Sequence, residues 1–163
     1  MPEVPDVFER LHALLTASNI PFTHTSHRAV FTSQEAAEVR GCPLNSGAKA
    51  LVIKAGDAFF MIVLPADLAL DSGATRRLLG SKQIRFASRE EVLSITGLTP
   101  GSIPPFGSLF GLSTVCDERL AANEFINFNA GRHTDSFQMK YEDWLRHEAP
   151  RLARVGRSAI DQS

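Results

Sequence analysis

Ala48-Lys49-Ala50-Leu51-Val52-Ile53-Lys54-Ala55-Gly56-Asp57-Ala58-Phe59-Phe60-Met61-Ile62-Val63-Leu64 places two apolar runs, rich in Val, Ile, Leu and Phe, on either side of Ala55-Gly56-Asp57. β-Branched and aromatic side chains suit the pleated surface of a strand, and a short Gly-Asp connection suits a hairpin. The stretch predicts two buried central strands, Ala48 to Lys54 and Ala58 to Leu64. Lys49 interrupts the pattern, because an unpaired ammonium is costly to bury. It is either a lysine snorkelling to solvent from a strand end or a phosphate or carboxylate anchor inside a pocket, and spacing leaves both open.

Working outward, Val7, Leu11, Leu14 and Leu15 recur at helical spacing, so residues about 6 to 18 predict an amphipathic helix ending before Pro21. Phe22 to Thr25 reads as a short strand. Thr32 and Glu35 have capping-box spacing for a helix that Gly41 terminates, and Ser88 and Glu91 repeat the device for a helix that stops at Gly97. Between them lie a helix from Asp71 to Leu79 and a strand from Gln83 to Phe86. Asp67 and Asp71 read as helix caps. Leu112 to Cys116, Phe125 to Asn129 and Ser136 to Met139 read as further strands, and a last helix carries Tyr141, Trp144 and Leu145. Phe59, Phe60, Phe125, Phe128, Tyr141 and Trp144 fit a core better than a base-stacking platform. The expected class is α/β in the α+β sense: a single domain over 1–163, with a mixed, mainly antiparallel central sheet surrounded by helices and a polar tail from about Val155.

Composition bounds the function. The 163 residues, 44% hydrophobic, suffice for one domain with a real core, and a net charge of -1 leaves any nucleic-acid partner to a local basic face. Arg76, Arg77, Lys82, Arg85 and Arg89, or Arg146, Arg151, Arg154 and Arg157, could supply such a face, although solvated surface is the commoner role of any one of them. Cys42 and Cys116 form no CxxC pattern, which fits a reducing cytoplasm. The first residues carry no secretion signal pattern and no segment approaches a membrane span, so a cytoplasmic protein without membrane association is expected. His24, His27 and His133 match no zinc spacing, and neither metal nor cofactor is expected.

Thr96-Gly97-Leu98-Thr99-Pro100-Gly101-Ser102-Ile103-Pro104-Pro105-Phe106-Gly107 holds three glycines and three prolines. Glycine opens backbone angles closed to other residues and proline fixes φ while removing an N–H, so such a loop can aim its few remaining amides at one point. Amides so aimed stabilise an oxyanion. The same composition also serves a tight connection that merely routes the chain.

These residues, taken in order, resemble a known family. Lys49-Ala-Leu-Val-Ile, Leu64-Pro-Ala-Asp67, Leu79-Gly80, Ile84-Arg-Phe-Ala-Ser-Arg-Glu-Glu91, Gly97, Gly101-Ser-Ile-Pro-Pro105-Phe-Gly107 and Asn129-Ala-Gly-Arg-His133 are similar, over about residues 20 to 147, to the YbaK and prolyl-tRNA synthetase-associated editing domains. The resemblance implies that fold and a freestanding trans-editing enzyme that hydrolyses the ester of a mischarged tRNA, often a proline tRNA bearing alanine, cysteine or another small residue. It implies that Lys49 contacts the terminal adenosine or its phosphate, and that Gly101 opens a G-x-x-x-P loop, closing at Pro105, whose amides polarise the ester carbonyl. His133 falls at a position that limits amino-acid size. Counted with these as substrate-binding are Ser102, Ile103, Pro104, Gly131 and Phe31, with Lys49 and Gly101 as the catalytic pair. Alanine-specific members often have Asn directly after the lysine, where Ala50 stands here, so alanine is not implied over cysteine, 2-aminobutyrate, serine or threonine.

No G-x-S-x-G elbow and no Cys/His signature is present, so a covalent mechanism is not expected. The resemblance implies that a ribose hydroxyl of the substrate helps to activate the water. Expected partners are the acceptor end of mischarged tRNA and prolyl-tRNA synthetase or another translation factor. The competing class is a non-catalytic module of the same fold that docks to a synthetase or nucleic acid.

Overall fold

The hairpin predicted at the centre forms β2 (Ala48–Ala55) and β3 (Ala58–Pro65), paired antiparallel from Ala48 opposite Pro65 to Ala55 opposite Ala58. This computed structural model describes residues 6–159. Both strands read as nearly unbroken apolar runs because both faces are covered. Ala50, Val52, Met61 and Val63 belong to one buried cluster, and Ile53, Ile62 and Leu64 to another on the opposite face.

Around the hairpin the order is α1 (Val7–Ala17), β1 (Phe22–Ser26), α2 (Ser33–Arg40), β4 (Leu68–Leu70), α3 (Ser72–Leu79), β5 (Ile84–Phe86), α4 (Arg89–Thr96), β6 (Ser113–Asp117), β7 (Phe125–Arg132), β8 (Asp135–Lys140), α5 (Tyr141–Glu148), β9 (Arg151–Ala153) and β10 (Gly156–Ser158). The strands of the described residues form a mixed sheet in the order β5-β2-β3-β6-β9, an antiparallel sheet β1-β8-β7 and a β10-β4 ribbon. Only β3-β6 and β6-β9 are parallel, so pairing is mainly antiparallel, as expected. The single central sheet of the sequence reading is instead divided, and the larger cluster fills the space between its two main parts. There Leu11 and Leu15 of α1, Phe128 and Phe137 of the antiparallel sheet, and Trp144 of α5 meet β2 and β3.

The caps behave as their residue types predict. Ser88 and Glu91 form a reciprocal capping box, Asp71 accepts from the Ala74 amide, and Thr32 accepts from the Glu35 amide. At Thr32 the box is half complete, because the Glu35 carboxylate turns to the Thr32 hydroxyl and Arg28. Asp67, expected as a cap, lies in the β3–β4 turn and caps nothing. Phe125, expected in the core, is 41% exposed.

The stretch from Val155, read as a polar tail, is structural up to Ser158. Val155 is fully buried and β10 pairs with β4. Asp117 anchors this return. It is buried, accepts from the Arg119 guanidinium at 2.8 and 2.7 Å, and receives the amides of Val155 and Gly156 at 3.1 and 2.8 Å. Burial alone would raise its pKa, but these bonds outweigh it and hold the carboxyl below the usual range. A depressed folded-state pKa adds stability above the unfolded carboxylate range, and that stability is lost as pH falls through the folded value. Asp117→Ala should therefore cost about 3 kcal/mol at neutral pH, with a smaller difference from the parent in strong acid. Urea unfolding across pH measures both, and a pH-independent difference would refute the assignment.

Candidate active site

β5 covers only the last part of the edge of β2, pairing with Ile53 to Ala55, while the Ala87 amide donates to the Val52 carbonyl. Backbone groups alternate along a strand, so those of Ala48 and Ala50 face the same edge as those of Val52, beyond the reach of β5. A cavity of about 200 Å³ opens along this bare edge. Its walls are α2, the chain from Cys42 to Gly47, the Asn127–Asn129 part of β7, and Gly101 and Ile103 of the Gly/Pro loop, with Phe31 at the side. Gly47 bridges to Asn127 and ties the two sheets together at the base.

The loop is held from behind. Ser102 spends its amide and hydroxyl on the Thr99 carbonyl and accepts the Gly131 amide through its own carbonyl. Pro105 accepts the buried indole N–H of Trp144 at 2.7 Å. Gly101 has φ +93°, and its carbonyl accepts from Asn129 Nδ2 at 2.8 Å. Among the described residues the N–H groups of Gly101 and Ile103 have no protein acceptor, and both residues line the cavity. Ile103 is buried, so its unpaired amide is expensive unless something else takes its hydrogen bond, whereas Gly101 is exposed.

Of the residues expected at the site, Lys49, Gly101, Ile103 and Phe31 line the cavity together. Ser102, Pro104, Pro105, Gly131 and His133 do not. The first three are buried supports of the loop. Gly131, at φ +84°, is where the backbone meets α1: a Cβ there would lie 3.1 Å from the Phe8 nitrogen. His133 stands behind the wall, its ring 4.7 Å from that of Phe31, with Nδ1 3.1 Å from the Val30 carbonyl and Nε2 3.1 Å from Thr99 Oγ1. A carbonyl can only accept, so Nδ1 carries the proton and Nε2 accepts from Thr99. Both ring nitrogens are thus engaged, and His133 reaches the cavity wall through its contact with Phe31.

Lys49 donates its ammonium to the Leu68 carbonyl. Burial lowers its pKa and the nearby Asp67 carboxylate partly restores it. Its side chain is half-buried, and the open choice between snorkelling and anchoring resolves into a lysine tied to the backbone at the cavity wall.

Sequence reasoning missed Arg40, Ser46 and Asn127, and held Asn129 only as the first residue of the Asn129-to-His133 motif. Arg40, at the end of α2, donates Nε to Ser136 Oγ at 2.8 Å and Nη2 to Asn129 Oδ1 at 2.9 Å, and burial lowers its pKa to about 10. Asn127 donates to Ser46 Oγ at 3.0 Å and accepts from Gln138 at 3.0 Å. Isolated Arg, Ser and Asn residues carry no sequence signature, and only the packing of α2 and of the chain that follows it against β7 brings them together. The lining includes two cations, Arg40 and Lys49, but no carboxylate and no histidine. His24 and His27 lie elsewhere, paired with Asp135 and Ser136.

Comparison with known proteins shows that the aminoacyl-tRNA editing domain family matches residues 27–147. The chain belongs to the aminoacyl-tRNA editing domain family. The resemblance to the YbaK and prolyl-tRNA synthetase-associated domains is thereby confirmed. The chain is similar to the multifunctional Ser/Thr-tRNA deacylase ProXp-y of Escherichia coli K12, 35% identical over 93% of each chain. It is also similar to the proline--tRNA ligase of Shouchella clausii, 36% identical over 66% of this chain and 17% of that much longer one. A solved structure described as a proposed trans-editing enzyme for prolyl tRNA synthetase shares the fold, with a TM-score of 0.84 and 23% identity over 96% of this chain and all of the other. The walls of the cavity described above all fall within the matched residues. Among the described residues no helix is long and apolar enough to cross a membrane.

Proposed function

We propose that this aminoacyl-tRNA deacylase removes a small hydroxyl-bearing amino acid, serine or threonine, from mischarged tRNA in the cytoplasm. The pair of unpaired amides at Gly101 and Ile103 carries the reading. Water adds to the ester carbonyl carbon, the two N–H groups receive the oxyanion, and the ribose oxygen leaves with a proton to give free amino acid and a free 3′ end. The cavity lining offers no side-chain base, which suits assistance by the neighbouring ribose hydroxyl in orienting the water. Phe31, 71% exposed and tilted against the His133 ring, offers the terminal base a platform. Arg76, Arg77 and Lys82, which border a shallow surface hollow, suit the phosphates of the acceptor stem; Arg85, Arg146 and Arg154 are already ion-paired.

The choice of serine or threonine rests on Ser46 and Asn127. One Asn127 amide hydrogen is bonded to Ser46, leaving the second for a substrate hydroxyl. A site built to hydrogen-bond a hydroxyl discriminates against the analogue lacking it. This agrees with the activity named for the Escherichia coli relative. A proline tRNA remains the proposed carrier, from the kinship to proline--tRNA ligases.

Deacylation of seryl-, threonyl-, alanyl-, cysteinyl- and correctly charged prolyl-tRNA tests the reading. The expected result is turnover of the hydroxyl substrates and sparing of prolyl-tRNA. Asn127→Ala should cut the serine-over-alanine ratio of kcat/KM by about tenfold. Folded protein inactive on the whole panel would make the chain a binding module, and a ratio unchanged in Asn127→Ala would remove the hydroxyl contact.

A further inference from the structure

Arg40 is a guanidinium set into the cavity without a counterion among the described residues. Its two bonded nitrogens meet neutral groups, Ser136 Oγ and Asn129 Oδ1, and it makes no ion pair with any described carboxylate. Nη1 has no acceptor among the described residues; it lies beside Gly47, 3.8 Å from where a Cβ would stand. The carbonyl end of α2 supplies only a partial negative charge. Holding α2 against β7 and β8 would need no charge, since a neutral donor could make the same two bonds. A half-buried cation kept under these conditions is costly unless an anion pairs with it.

We infer that Arg40 is the phosphate anchor of the cavity, its free Nη1 edge taking the phosphodiester of the 3′-terminal nucleotide. This rests on the deacylase reading above, which brings a tRNA 3′ end to the cavity, and it divides the labour between the two cations. Lys49 is already bonded to Leu68 and shares its neighbourhood with Asp67, whereas among the described residues Arg40 pairs with no acid. A guanidinium is also the better phosphate reader, because its planar fork matches two oxygens at once. The Arg40–Asn129–Gly101 chain of hydrogen bonds then links phosphate binding to the Gly101 carbonyl of the loop that receives the ester.

Adenosine 5′-monophosphate and adenosine differ by the phosphate in question and are the probes. The wild-type protein should bind the monophosphate about tenfold more tightly, and the Arg40 Nε–Hε resonance should shift with it but not with adenosine. Arg40→Gln should erase the preference, Arg40→Lys should keep part of it, and Lys49→Met should keep it. Equal affinity for the two probes, an unmoved Arg40 resonance, or a preference surviving in Arg40→Gln would overturn the assignment; the resonance decides if the variants fail to fold. Deacylation by the wild type, scored separately, distinguishes the two readings. Hydrolysis without a phosphate preference refutes only the anchor, and a phosphate preference without hydrolysis of any charged tRNA refutes only the deacylase.

Discussion

Gly101→Ala is expected to slow single-turnover deacylation by about a hundredfold, the usual cost of losing one oxyanion donor, while affinity for uncharged tRNA changes little. The cause is conformational rather than steric. A Cβ at Gly101 would make an ordinary 3.5 Å contact with His133 Cε1, but φ +93° is closed to an L side chain. The peptide must rotate, which carries the Gly101 amide out of line and loosens the carbonyl from Asn129. Rapid-quench hydrolysis at saturating enzyme, beside filter binding of uncharged tRNA, separates the two effects. Normal hydrolysis at saturation with collapsed affinity would show that the loop binds tRNA and takes no part in the chemistry.

Trp144→Ala should destabilise the protein by about 3 to 5 kcal/mol, as large-to-small changes in a closed core do. The indole is fully buried in the larger cluster, and its N–H is the partner of the Pro105 carbonyl. Trp144→Phe isolates the second role. It retains most of the apolar volume and leaves a buried carbonyl unpaired, at a cost of about 1 to 3 kcal/mol. Because Pro105 closes the loop that Gly101 opens, Trp144→Phe should also lower kcat at temperatures where the protein is fully folded. Urea unfolding and steady-state rates check the pair, and an unchanged kcat in Trp144→Phe would show that the loop is held adequately without the indole.

The candidate site was legible in the sequence to the extent that it depends on backbone conformation. Gly101 and the prolines announced a shaped loop, and the structure shows that Gly101 and Ile103 are its cavity-lining residues and that their amides have no acceptor among the described residues. Lys49 was conspicuous because a charge in an apolar run is locally anomalous. Ser102, Pro104, Pro105, Gly131 and His133 were placed with the substrate through family resemblance, and none lines the cavity. They lie within a few residues of the wall, and sequence distance cannot tell a lining residue from its support. Arg40 gave no signal, and Asn129 only its place at the head of the Asn129-to-His133 motif, since the meaning of the pair comes from a hydrogen bond between residues 89 positions apart.

By itself the sequence determined the elements whose stability is local. Periodicity, capping residues and glycine stops placed α1 to α4, and β-branched runs placed β2 and β3, because a helix end or a two-sided strand is specified by side chains within one or two turns. Tertiary structure alone decided the rest. β4, β9 and β10 are three residues each and exist because distant partners supply their hydrogen bonds, Leu68 meeting Ser158 and Val115 meeting Arg151. The division of the strands into two main sheets, and the cavity along the uncovered edge of β2, follow from how far β5 reaches and where α2 closes. Those are outcomes of packing between segments far apart in the chain, and no local pattern encodes them.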